Sequence, residues 1–256
     1  MQIPRWLRPG RHSGTEHHDA PAQRSRMGNQ LDTIAFRTLM FTAREIEREN
    51  PAALPALIAA ILRPEQSEFL LGVAEHGQDA MKEVSGWDFF GPDFRDWFEE
   101  ERRRPIDLPP AEHPLMLGRD PILPCPWHDS RFITAMAFIG SGKLDQDLAT
   151  RKRYGGRWSQ DENHRVILWL PWRIGFVAGG NHSLAAGILA GEGSLIPDRV
   201  EDFSCLLDLM ECDGTVYRDR QTNKVLAPVL DTRHAAVFEI GRMIARPSWR
   251  GTSPTV

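Results

Sequence analysis

The chain has 256 residues, with 31 Lys and Arg against 35 Asp and Glu, for a formal net charge of −4. Hydrophobic residues make up 41% and charged ones 26%, so a packed core is attainable and wholesale disorder is excluded. The longest wholly apolar run, Ala56 to Leu62, is far short of the roughly 20 residues a membrane span needs.

Three cysteines (Cys125, Cys205, Cys212) are too few for a disulfide framework, which makes a reducing cytoplasm the expected location. The near-neutral balance and the lack of a DNA-binding motif count against nucleic acid as a partner. Residues 1–29, with five arginines, three histidines and interrupting Pro and Gly, read as a disordered basic leader. No apolar stretch follows its first arginines, so it does not read as a secretory signal.

Residues 30–104 read as a helical region. Leu31, Ile34, Ala35, Thr38, Leu39, Thr42 and Ile46 recur at three- and four-residue spacing, and Asn50-Pro51 ends that helix. A second helix, Ala52 to Leu62, is stopped by Pro64, and Ser67 caps a third that ends at Gly86. Trp87, Phe89, Phe90, Phe94, Trp97 and Phe98 form an aromatic cluster expected to pack this layer onto the rest of the protein. The alternative is a surface that docks a protein partner.

Residues 105–126, with seven prolines, read as an extended connector running over the surface. The remainder, residues 127–256, reads as mixed α+β. Asp129 or Ser130 caps a helix from Arg131 to Ile139. Val166 to Leu170 and Arg173 to Val177 read as strands with a turn at Pro171. Leu184 to Ala190 reads as a small-residue helix, and Leu195-Ile196 and Phe203 to Met210 as strands, the latter burying Cys205. Thr215 to Tyr217 and Val225 to Val229 form a hairpin, and Thr232 to Ala245 a final helix in which Glu239 and Arg242 pair.

The sharpest chemical signal is Gly179-Gly180-Asn181-His182-Ser183, set between a strand and a helix. Glycines permit a tight turn and close approach of a ligand, and the unpaired first amides of a helix favour an anion. The stretch from Ile174 to Leu189 resembles the nucleotide-handling turn of the ParB/sulfiredoxin superfamily, in which an alanine-rich helix follows a glycine and a short polar motif. The wider pattern is similar to an uncharacterised bacterial family. That pattern comprises Pro126-Trp127, Asn163-His164-Arg165, Leu168 to Pro171, Gly180 to Ser183, Ala227 to Val229 and Phe238 to Arg242.

The resemblance implies a ParB/sulfiredoxin-like α+β domain behind the helical region. It also implies a site for a nucleotide or other phosphorylated small molecule at Gly179, Gly180, Asn181, His182 and Ser183. Two departures matter. Asn181 stands where sulfiredoxins carry their cysteine, so no thiolate is available for sulfinic acid reduction. Ser183 stands where an arginine usually follows the histidine, so another cation has to serve, and Arg165 is better placed in sequence than Arg157 or Arg173. Asn163 and His164 complete the expected site. A nucleotide with Mg2+ would draw on Glu192, Asp161 or Glu162 for NTPase or phosphotransfer chemistry. The alternative is a non-catalytic interaction module whose turn only starts a helix.

Overall fold

A computed structural model describes residues 22–78, 86–91, 94, 104–143 and 155–245. It has an α+β architecture. The chain opens with α1 (Ala22–Glu49) and α2 (Leu54–His76), then β1 (Ile106–Leu108), β2 (Leu115–Met116), β3 (Ile122–Leu123) and α3 (Asp129–Phe138). Next come β4 (Val166–Leu170), β5 (Ile174–Val177), α4 (Asn181–Ala190), β6 (Ser194–Leu195), β7 (Arg199–Asp202) and α5 (Ser204–Leu209). The chain ends in β8 (Met210–Cys212), β9 (Val216–Asp219), β10 (Val225–Pro228) and α6 (Thr232–Ala245). The main sheet has the order β1-β7-β4-β5-β3, with β4 parallel to β7 and antiparallel to β5. Strands β8 to β10 form a separate antiparallel meander, and β2 pairs with β6.

The two-residue period of a strand assigns the faces of the main sheet. On β4, Ile167 and Trp169 point into a core shared with α1, α2 and α6, while Val166 and Leu168 point into a second core against α4. The cluster Trp87, Phe89, Phe90 and Phe94 packs into the first core as expected. Trp97, Phe98 and the histidines of the leader lie outside the described residues.

Several elements differ from the sequence expectation. Helix α1 begins at Ala22, so it takes in residues 22–29 of the leader. Pro64 does not stop a helix. It lies inside α2, where Leu54, Ile58, Ile61 and Leu62 before it and Gln66, Leu70 and Val73 after it are all buried. Burial of that continuous face outweighs the roughly 3 kcal/mol a helical proline costs. The proline-rich stretch does not run over the surface as a connector: it supplies β1, β2 and β3 and buries Leu115, Leu117 and Ile122 completely. Its prolines sit between very short strands, where no ladder donor is needed. Phe203 to Met210 is helical until β8: the chain enters α5 through a turn in which Asp202 Oδ1 accepts from the Ser204 N–H at 2.9 Å. Cys205 is therefore a half-buried helical residue. Cys212 is the buried cysteine, its thiol pushed up to about 12 by burial. Glu239 and Arg242 pair as expected at 2.8 Å, and Glu239 Oε1 also accepts from the Cys212 N–H at 2.7 Å.

One polar contact ties α2 to α6. His234 Nε2 lies 2.8 Å from Glu65 Oε2, and the imidazole stacks on Phe89 with centroids 4.0 Å apart. Burial pushes the imidazole down, but the hydrogen bond and charge of Glu65, with Asp231 behind, hold it above its ordinary value. A raised folded value means the pair stabilises the fold fully below the unfolded pKa near 6.5 and ceases to as pH rises through the folded one. We expect Glu65→Gln to cost about 1–2 kcal/mol at pH 6, less than a fully buried pair because both groups touch solvent. The cost should shrink at pH 9; urea denaturation of both proteins at the two pH values checks this.

Candidate functional site

Gly180 has φ +78° and immediately precedes α4, so Asn181, His182 and Ser183 form the first helical turn. Strand β5 ends earlier, at Val177, and Ala178-Gly179 bridge the gap. A Cβ on Gly179 would lie 2.7 Å from the Asn163 carbonyl oxygen, and one on Gly180 would lie 2.7 Å from His164 Cδ2. The space that both glycines leave is therefore filled by the Asn163-His164 backbone and ring, whereas the sequence reading gave it to a ligand.

Each side chain of the turn has a definite partner. Asn181 Oδ1 accepts from the Cys125 N–H at 2.7 Å, and His182 Nε2 accepts from the His128 N–H at 3.0 Å. These two bonds latch the segment from Cys125 to His128 onto the head of α4. Ser183 Oγ accepts from Trp158 Nε1–H at 3.1 Å and lies 2.9 Å from His164 Nε2.

His164 Nδ1 in turn lies 3.0 Å from Asp161 Oδ1, so Ser183, His164 and Asp161 form a chain with the outline of a hydrolase triad. Its polarity is the reverse. The Asp161 N–H donates to Nδ1 at 2.8 Å, so Nδ1 is an acceptor and the neutral ring carries its hydrogen on Nε2. His164 then donates to Ser183, whereas a general base must accept from its nucleophile. Burial holds His164 below its ordinary value against the opposing charge of Asp161, which keeps the ring neutral near pH 7. With both lone pairs of Ser183 Oγ occupied, its hydroxyl hydrogen is free to donate, and among the described residues it has no acceptor.

His182 is fixed in the same sense. Accepting at Nε2 leaves the hydrogen on Nδ1, and burial, with the nearby Arg131 and His128 charges, holds the ring below its ordinary value. Together with Arg131 and Ser130 of α3, His182 and Ser183 line a groove of about 290 Å³ between the two helices. Arg131 is exposed, makes no ion pair among the described residues, and sits 5.5 Å over the Trp127 ring. A larger depression of about 700 Å³ lies between α1 and the start of α6, but only Asp231 and Arg233 charge it, with opposite signs.

The structure thus gathers Gly179, Gly180, Asn181, His182, Ser183, Asn163 and His164 in one place, but only His182 and Ser183 face the groove. Arg165 is exposed, donates to the Ala178 carbonyl at 3.3 Å and packs against Gly179, outside the groove lining. Arg173 is held by Asp120 at 3.2 Å. Glu192 lies beyond the far end of α4, where it accepts from the Ser141 and Trp158 amides at 2.9 and 3.1 Å. Asp161 is engaged with His164. Among the described residues no three His, Cys, Asp or Glu side chains gather as a metal site, and no described helix is long and apolar enough to cross a membrane.

Sequence reasoning overlooked Arg131 and Trp158. Arg131 lies one helical turn beyond His128, and its place at the groove was unreadable without knowing that His182 latches that segment. No curated protein and no solved structure matches the chain. A family model described as a family of unknown function (DUF6710) matches residues 13–248, and the chain belongs to that family.

Proposed function

We propose that the groove between α3 and the head of α4 binds a small phosphorylated ligand through Arg131, His182 and Ser183. The observation that carries this reading is the polarity of the lining. Arg131 is donor-only, and the tautomer of His182 and the two bonds accepted by Ser183 leave each of these two groove-lining side chains a hydrogen to donate. Arg131 supplies the charge that Ser183 lacks, and the amides of the first turn of α4, which precede its first hydrogen bond from Leu184 N–H to Gly180 O, favour the same sign. The ParB/sulfiredoxin-like lineage that the sequence resemblance implies, and a cytoplasmic bacterial setting, belong to the proposal and rest on the sequence alone. NTPase or phosphotransfer chemistry with Mg2+ is not part of it, because none of the three carboxylates named for it, Asp161, Glu162 and Glu192, lines the groove.

Calorimetric titration with inorganic phosphate and ribose 5-phosphate tests the proposal. Arg131→Ala should weaken binding by about 1.5 kcal/mol, the low end for a charged hydrogen bond because the guanidinium is exposed. Absence of binding by the wild-type protein would leave the interaction-module reading. That reading has one observation in its favour: Asn181 and His182 each spend an acceptor on the backbone of the segment from Cys125 to His128.

A further inference from the structure

We infer that Trp127 is a stacking platform for a flat aromatic ring, so that the phosphorylated ligand of the groove is a nucleotide. The inference rests on the anion reading above and adds the other half of the ligand.

Trp127 follows Pro126, which is buried, and precedes His128, whose amide is bonded to His182. Its backbone is therefore held on both sides, yet the side chain remains 48% exposed. The other described tryptophans are largely buried: Trp158, Trp169 and Trp172 are buried, and Trp87 packs against the first core. An indole left half in water forgoes a large apolar burial, and it is oriented rather than loose. The Arg131 guanidinium lies 5.5 Å from the ring centroid. The His128 and His182 rings meet it edge-on at centroid distances of 5.4 and 5.8 Å.

Two of those three neighbours, Arg131 and His182, also line the groove. An aromatic plane thus stands within one side chain of three donors set for an oxyanion. A phosphate on a ribose, with a base beyond it, carries both chemistries in one small molecule. Stacking needs only a π-face, so the base can be any of the common ones, and an Arg over the ring strengthens the contact.

Paired titrations of the full chain with adenosine 5′-monophosphate and ribose 5-phosphate test this, read as the ratio of the two affinities. The ratio cancels any general weakening of the anion site. For the wild-type protein the nucleotide should bind about 5- to 150-fold tighter, the range for one stacked base, and should quench tryptophan emission. Trp127→Ala should bring the ratio to one, and Trp127→Phe should keep most of it. Equal affinities in the wild-type protein, with ribose 5-phosphate bound, would overturn the inference while leaving the anion reading intact. A ratio unchanged by Trp127→Ala would also overturn it. Binding of neither compound would defeat both.

Discussion

Trp172→Ala should lower the unfolding free energy by about 3–5 kcal/mol, the usual loss for truncating a fully buried tryptophan. Trp172 sits between β4 and β5, is fully buried, and donates its Nε1–H to the Phe238 carbonyl at 3.3 Å. Its ring meets Phe90 at 4.7 Å, Phe238 at 5.9 Å and Phe203 at 6.1 Å, which joins the sheet to α6 and to the aromatic segment before β1. The cavity cannot close without moving three rings. The seat also explains Gly241: a Cβ there would collide with Trp172 Nε1. Gly241→Ala should therefore destabilise, because overpacking at about 1–3 kcal/mol exceeds the roughly 1 kcal/mol that alanine gains over glycine in a helix. Urea denaturation midpoints at constant m-value measure both; a Trp172→Ala loss under about 1 kcal/mol would mean the core re-packs.

Gly180→Val should cost about 2–4 kcal/mol and disable the groove. The backbone sits at φ +78°, where a β-branched side chain is strained. The Cβ would also lie 2.7 Å from His164 Cδ2 and 3.1 Å from the Asn163 oxygen. Strain of about 1–2 kcal/mol adds to an overpacking term of similar size. Relief requires His164 to leave, which breaks its 2.9 Å bond to Ser183 and its ring contact with Trp158, where the centroids are 4.9 Å apart. The variant should show loss of phosphate binding together with a lowered melting temperature. A stable variant with altered Trp158 emission would place the strain in the loop alone.

The local pattern of the chain settled much of the outcome. The strands Val166–Leu170 and Ile174–Val177, the helix after Gly180, the hairpin and the helix Thr232–Ala245 were all legible, because apolar period, turn residues and caps act within a few residues. That Gly179 to Ser183 lies where a strand passes into a helix followed from the same rules. Tertiary structure decided what those rules cannot weigh. Pro64 stays in a helix because a long face is buried on both sides of it, and the proline-rich stretch becomes strands because β5, β6 and β7 offer it partners remote in sequence. At the site, the sequence nominated Arg165 by proximity, but hydrogen bonds across more than fifty residues, from Cys125 and His128 to Asn181 and His182, brought Arg131 there instead. The direction of the Ser183–His164 bond was likewise fixed by one backbone N–H, that of Asp161, which no spacing of side chains reveals.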